Sequence, residues 1–206
     1  MCGIAGFANT SGAPLRDSTV LERMASVIRH RGPDDSGLYR HAGVELAHRR
    51  LSIVDLSLAG HQPMSNETGE VWIVYNGEIF NHADVRPELE RASHRYRSRT
   101  DTETVIHAYE EDGPDCVKRF RGMFAFALHD QTKRRLYCAR DRLGIKPLYY
   151  YWDGSLFAFA SEIKALFEHT AISPAINEAV LPEYLACGYI SSEETLCRGI
   201  RNLMTG

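Results

Sequence analysis

The chain has 206 residues, enough for one large domain or two small ones and for burial of roughly 70% of the unfolded surface. Hydrophobic residues make up 44% and charged residues 25%, ordinary globular usage that argues against a disordered, collagenous or coiled-coil chain. A net charge of −3 gives no global attraction to nucleic acid or to an anionic membrane, and five cysteines without a C-x-x-C pair read as free thiols of a reducing compartment.

In chain order, Met1 to Phe7 carries no basic region and no apolar run of signal-peptide length, and no stretch approaches a transmembrane helix, so a cytoplasmic location is expected. Ile4, Ala5 and Phe7 read as a strand that carries the N-terminus into the fold and holds Cys2 still. Thr19-x-x-Glu22 is a capping-box pattern, after which Leu21, Met24, Val27 and Ile28 form one helical stripe. Leu38 to His41 and Val44 to His48 read as a hairpin around Ala42-Gly43. Val71 to Tyr75 is a buried strand, with Asn76-Gly77 as the turn that ends it. A helix is expected from Thr102 to about Asp112, capped by Asp101 and stopped by Gly113-Pro114. Met123 to His129 suits a strand covered on both faces, with Leu136 to Ala139 as its partner. Leu148 to Trp152 and Leu156 to Ala160 form a hairpin around Asp153-Gly154. Ser161 is placed as the cap of a short helix through Phe167, and Asn177 as the cap of another toward Cys187 that Pro182 interrupts. Strands that outnumber helices and come mostly in hairpins imply antiparallel sheets with helices outside, an α+β layered domain.

The N-terminus carries the chemistry. Cys2 has a small side chain, so removal of Met1 is expected and would leave a thiol and a free α-amine on one residue. An α-amine titrates about 2.5 units below a lysine, a difference of roughly 3.4 kcal/mol, and so serves as a general base near neutral pH without burial. N-terminal nucleophiles use this arrangement in place of a separate histidine. From position 2 alone, a small residue opening a strand is the plainer reading. Attack on an amide also creates an oxyanion that needs preorganised donors. Asn76-Gly77 offers a side-chain amide and a backbone N–H, although the dipeptide is also the commonest hairpin turn.

Seven segments then appear in order: Met1-Cys2-Gly3-Ile4-Ala5-Gly6; Arg29-His30-Arg31-Gly32-Pro33-Asp34; Ala47-His48-Arg49-Arg50-Leu51-Ser52-Ile53-Val54-Asp55; Tyr75-Asn76-Gly77-Glu78-Ile79-Phe80-Asn81-His82; Gly122-Met123-Phe124-Ala125-Phe126-Ala127; Ala139-Arg140-Asp141-Arg142-Leu143-Gly144-Ile145-Lys146-Pro147-Leu148-Tyr149-Tyr150; and Ala160-Ser161-Glu162-Ile163-Lys164-Ala165-Leu166. Together they resemble the glutaminase half of glutamine-hydrolysing asparagine synthetases, class II glutamine amidotransferases of the N-terminal nucleophile hydrolase superfamily. The resemblance implies a four-layer αββα sandwich of two antiparallel sheets flanked by helices. It implies Cys2 as nucleophile with its own amine as base, and Asn76 and Gly77 as the oxyanion hole. Arg50 would hold the α-carboxylate of glutamine, which suits a planar bidentate donor. Leu51, Ser52, Ile53 and Val54 would line the pocket, with Glu78 and Asp101 near the substrate and Asp101 facing its α-ammonium.

Each assignment has a rival. Arg49 competes with Arg50, and Arg50 is chosen because it directly precedes Leu51-Ser52-Ile53-Val54, as the ligand does in the family the chain resembles. Asp101 can be a helix cap, a ligand or both. His30, His48 and His82 lack metal-type spacing and read as structural, and no metal ligand is assigned. Arg140-Asp141-Arg142 reads as a surface ion-pair run or a structural segment, Tyr149 to Tyr151 as core and hairpin, and Cys116, Cys138, Cys187 and Cys197 as inert buried thiols.

Asparagine synthetases continue into a domain that binds ATP through an S-G-G-x-D-S loop, and here Ser11-Gly12 is followed by Ala13-Pro14 instead. Residues 1–170 are therefore read as the glutaminase domain and 171–206 as an extension leading toward a synthetase domain. No cofactor is expected in this chain; ATP and Mg2+ belong to the synthetase part. Expected partners are L-glutamine and a separate synthetase domain or subunit, a homodimer being compatible, with neither nucleic acid nor membrane. Two alternatives are a non-catalytic or partner-dependent subunit and an amidotransferase serving another acceptor.

Overall fold

Gly3-Ile4-Ala5-Gly6-Phe7 enters the structure as a fully buried strand, and the rest of the fold is arranged around it. The computed structural model describes residues 1–12, 17–53, 55 and 57–205. Strands β1 (Gly3–Asn9), β2 (Asp35–His41), β3 (Val44–Arg50), β8 (Tyr149–Trp152), β9 (Leu156–Ala160) and β10 (Ile200–Asn202) form one sheet in the order β10-β8-β9-β1-β3-β2. A second sheet takes β4 (Met64–Ser65), β5 (Val71–Ile79), β6 (Gly122–Asp130) and β7 (Arg135–Arg140) in that order. Every pairing is antiparallel, as the hairpin-rich sequence implies.

Three apolar clusters separate four layers. Ile4, Leu46 and Phe159 of the first sheet meet Val74, Ala125 and Ala127 of the second between the sheets. Helices α1 (Val20–Val27) and α4 (Ile163–Leu166) cover the outer face of the first sheet, burying Leu21, Met24 and Leu166. Helices α2 (His82–Arg91) and α3 (Asp101–Asp112) cover the second, burying Val85, Leu89, Ile106 and Tyr109. This is the expected αββα sandwich. A short α5 (Leu181–Cys187) follows, and β10 returns to pair with β8, burying Ile200. The segment beyond residue 170 thus supplies an edge strand of the first sheet.

Several local expectations are corrected. Asn76-Gly77 ends no strand: β5 runs through it to Ile79, pairing Asn76 with Ala125 and Gly77 with Phe124. A side chain at position 77 would collide with the Met123 carbonyl, so glycine permits close approach of β6 instead of a reversal. The capping box does not form, because Thr19 bonds Asp17 and Arg23 while Glu22 pairs with Arg40. Ser161 caps nothing; its Oγ accepts the Ile4 amide at 3.1 Å and pins β1. Asn177 precedes a 3-10 turn, and α5 begins only at Leu181, with Pro182 in its first turn. Asp101 is the first helical residue of α3, with Thr100 in the cap position. Of the thiols read as buried, Cys116 is buried and Cys187 is exposed. The hairpin turn does follow its sequence: Ala42 and Gly43 both take positive φ, 48° and 79°.

Candidate active site

The start of β1, the end of β3, the open edge of β5 and the N-terminus of α3 converge on a cavity of about 110 Å³. Cys2 lies on its wall. The Leu51 amide donates to Cys2 Sγ at 3.4 Å, and the Arg31 Nε donates to the Cys2 carbonyl at 3.0 Å. Arg31 is held in turn by Glu162 at 2.9 Å, which also takes His30 at 2.8 Å. Burial pushes the Cys2 thiol above its ordinary pKa, opposed by the Leu51 amide, the chain N-terminus, Arg50 and Lys146. Met1 precedes it, and its Sδ accepts from Lys146 Nζ at 3.3 Å, so its side chain occupies space beside the thiol.

The edge of β5 supplies the donors. Among the described residues only Ile73 and Trp72 of β5 pair with β4, and beyond Val74 no strand pairs with that edge. The Tyr75 amide points off it to Gln62 Oε1 at 2.7 Å, and the Ile79 amide to Asp101 Oδ2 at 2.8 Å. Backbone amides alternate along a strand, so the Gly77 N–H between them points the same way, into the cavity that Gly77 lines. Asn76 is 2% exposed, shares a strand face with Val74, and its Nδ2 is buried without a hydrogen-bond partner. A buried amide donor left unpaired costs about 1–3 kcal/mol, a cost that a ligand oxygen entering the cavity would relieve.

Opposite the donors stand two charges. Arg50 is buried, donates from Nη1 to the Ser57 carbonyl at 2.9 Å and from Nη2 to the Asp55 carbonyl, and lies against Gly60, where any Cβ would fall on the guanidinium. Arg49 is one residue away on β3 and therefore faces the other side of the sheet, donating to the Ala25 carbonyl of α1 at 3.0 Å. Asp101 is 6% exposed and uses Oδ2 for the Tyr75 hydroxyl and the Ile79 amide.

Of the residues singled out in the sequence, Cys2, Arg50, Leu51, Ile53, Asn76, Gly77, Glu78 and Asp101 line this one cavity. Ser52 does not; its amide bonds Asp34 Oδ2 at 2.8 Å. Val54 lies outside the described residues. His48 ties the sheets together, its Nε2 against the Tyr75 carbonyl at 3.1 Å, and burial pushes its pKa down to about 3. Sequence reasoning missed Gln62, Tyr75 and Lys146. Lys146 is placed by Asp141: fully buried, its carboxylate accepts the amides of Phe124, Leu143, Ile145 and Lys146. Arg140 meanwhile binds the carbonyls of Gly144, Lys146 and Leu203. Arg140-Asp141 is therefore a loop clamp that aims Lys146 at the cavity, not a surface ion pair.

Residues 1–206 match a family model described as a glutamine amidotransferase domain. The chain belongs to that family. The amidotransferase domain is 37% identical over 206 residues to the glutamine-hydrolyzing asparagine synthetase 3 of Bacillus subtilis, an alignment covering 98% of this chain and 33% of that protein. It is 44% identical over 169 residues to the glutamine-hydrolyzing asparagine synthetase 3 of Arabidopsis thaliana, covering 81% and 28% respectively. The domain thus spans a third or less of the length of these curated relatives. Among solved structures, the glutamine phosphoribosylpyrophosphate amidotransferase from B. subtilis superposes with a TM-score of 0.66 at 19% identity, over 80% of this chain and 43% of that one, a likeness of fold. Among the described residues, no helix of the amidotransferase domain is long and apolar enough to cross a membrane.

Proposed function

We propose that this domain hydrolyses L-glutamine to L-glutamate and ammonia in the Cys2 cavity, and that the ammonia serves asparagine formation from aspartate and ATP in a synthetase half, with ATP and Mg2+ bound there. The observation that carries the reading is the unpaired, buried Asn76 Nδ2 beside the inward-facing Gly77 amide, across a cavity from the Cys2 thiol. Residues 1–170 then carry the glutaminase site, and 171–206, which add edge strand β10 to its first sheet, lead toward the synthetase half. Five free cysteines suit a reducing, cytoplasmic setting.

Removal of Met1 frees the α-amine of Cys2 and clears its side chain from the cavity. Glutamine places its α-carboxylate on Arg50 and its α-ammonium on Asp101, which directs the side-chain amide toward Sγ. The α-amine takes the thiol proton as sulfur adds to the amide carbon, and the oxyanion forms against Asn76 Nδ2 and the Gly77 N–H. The ammonium so formed returns its proton to the departing nitrogen, ammonia leaves, and water activated by the same amine cleaves the thioester to glutamate and the free thiol.

The test is ammonia release from glutamine by the untagged chain whose N-terminus has been read by intact mass. Chains beginning at Cys2 release ammonia and Cys2→Ala chains of unchanged melting temperature do not. Full activity in Cys2→Ala, or in chains that retain Met1, refutes the assignment.

A further inference from the structure

The turn after β4, the loop after α2 and the C-terminal half of α3 bring Glu67, His94, His107 and Glu110 together. One nitrogen or carboxylate oxygen from each lies within 4.8 Å of all the others. His107 Nδ1 is 2.9 Å from Glu110 Oε2 and 3.8 Å from Glu67 Oε2, and His94 Nδ1 is 3.5 Å from Glu110 Oε2. Donors held at 2.0–2.1 Å around a tetrahedral zinc ion lie about 3.4 Å apart, within this spread. His107 and Glu110 share one helix face through their i, i+3 spacing.

In three of the four residues the atom that would not touch a cation already has another duty, whereas His107 Nε2 is buried without a partner. Glu67 Oε1 accepts the Arg95 amide at 2.9 Å, and Glu110 Oε1 accepts Asn66 Nδ2 at 2.6 Å. His94 Nε2 pairs with Glu111 Oε1 at 2.9 Å, the carboxylate–imidazole arrangement that orients metal-ligating histidines. In each of these three residues the outer atom is anchored and the inner atom is left facing the cluster. His107 is 1% exposed, with its ring packed against His94 and Tyr96 at centroid distances of 4.7 and 4.8 Å. Two carboxylates and two neutral imidazoles carry the formal charge that neutralises a dication.

We propose that Glu67, His94, His107 and Glu110 form a structural site for a first-row divalent cation, with zinc the best fit to a four-coordinate N2O2 donor set. Four protein ligands close the coordination shell, which is the character of a structural and not a catalytic site. The cation ties the turn after β4 and the loop that leads to Thr100 onto α3, whose first residue faces the amino-acid end of the cavity. This site is independent of the glutaminase reading.

The experiment titrates zinc into the untagged, metal-stripped full chain by calorimetry, in wild type and in a Cys2→Ser background that removes the active-site thiol. One zinc per chain is expected in both, with a rise in melting temperature on binding. His94→Gln and Glu110→Gln each weaken binding at least ~10-fold, the size of effect seen when metal-site residues are altered. Cobalt(II) bound to the wild-type chain gives the visible spectrum of a four- or five-coordinate N/O site without a thiolate charge-transfer band. That readout holds even if a variant fails to fold. The proposal falls if zinc binds the double variant His94→Gln/Glu110→Gln as tightly as wild type, if micromolar zinc fails to bind wild type, or if cobalt reports six-coordinate or thiolate ligation.

Discussion

The Tyr75 hydroxyl donates to Asp101 Oδ2 at 2.6 Å, which fastens the first residue of α3 to the strand that carries Asn76 and Gly77. Burial, reinforced by the neighbouring carboxylate, raises the Tyr75 hydroxyl well above its ordinary pKa, so it remains a donor throughout the working pH range. The pair sets the distance between the proposed α-ammonium site and the oxyanion donors. Tyr75→Phe leaves a buried carboxylate short of one donor and is expected to lower stability by about 1.5–3 kcal/mol. Urea denaturation measures it, and the KM for glutamine rises alongside.

Asn76→Ala separates catalysis from folding. Loss of one oxyanion donor lowers kcat by about 10²–10³-fold with little change in KM. Because Asn76 Nδ2 has no partner in the folded protein, its removal relieves a desolvation penalty, and the melting temperature stays within a few degrees of wild type or rises. A large fall in KM-normalised binding or in melting temperature would contradict this division.

Gly60→Ala tests the arginine without altering it. The added methyl falls on the Arg50 guanidinium and displaces it from the Ser57 and Asp55 carbonyls. Steady-state kinetics should show a KM for glutamine raised at least as much as in Arg50→Lys, with kcat changed less. Limited proteolysis should cut faster in the segment that these carbonyls anchor.

Three buried histidines shape the acid limb of stability, for burial lowers the pKa of His169 as it does those of His48 and His129. Burial lowers the pKa of His48 to about 3 and that of His129 to about 4, whereas an unfolded imidazole takes its proton near about 6.5. Below that pH the unfolded chain binds protons that the folded chain refuses. Stability is therefore flat above neutrality and falls as the pH drops from 6.5 toward 5, by up to about 1.4 kcal/mol per pH unit for each histidine. Urea midpoints from pH 7.5 to 5 measure the slope. His48→Gln retains a donor for the Tyr75 carbonyl and loses about one proton of it.

Where sequence pattern and local geometry agree, the fold was legible. The unbroken apolar runs of β1 and β6 and the Ala42-Gly43 turn need only their own residues to explain them. Asn76-Gly77 was misread because the dipeptide that favours a turn also permits close strand approach, and the choice is made by β6, some fifty residues away in sequence. Helix α2 escaped notice because its buried face amounts to Val85 and Leu89 with Pro87 between them. In the site, Cys2, Asn76, Gly77 and Arg50 were named from motifs, and strand parity then separates Arg50 from Arg49. Lys146 was out of reach, because what aims it is the ring of amides around Asp141 and not any pattern of its own.

The placing of β1 between β9 and β3 bears on how the first sheet is completed. The strand that follows position 2 is completed by residues 156–161, including the Ser161 hydroxyl that grips Ile4. The strand behind Cys2 therefore gains its second neighbour only when residues 156–160 join the sheet, whereas β3 offers the first from residues 44–49.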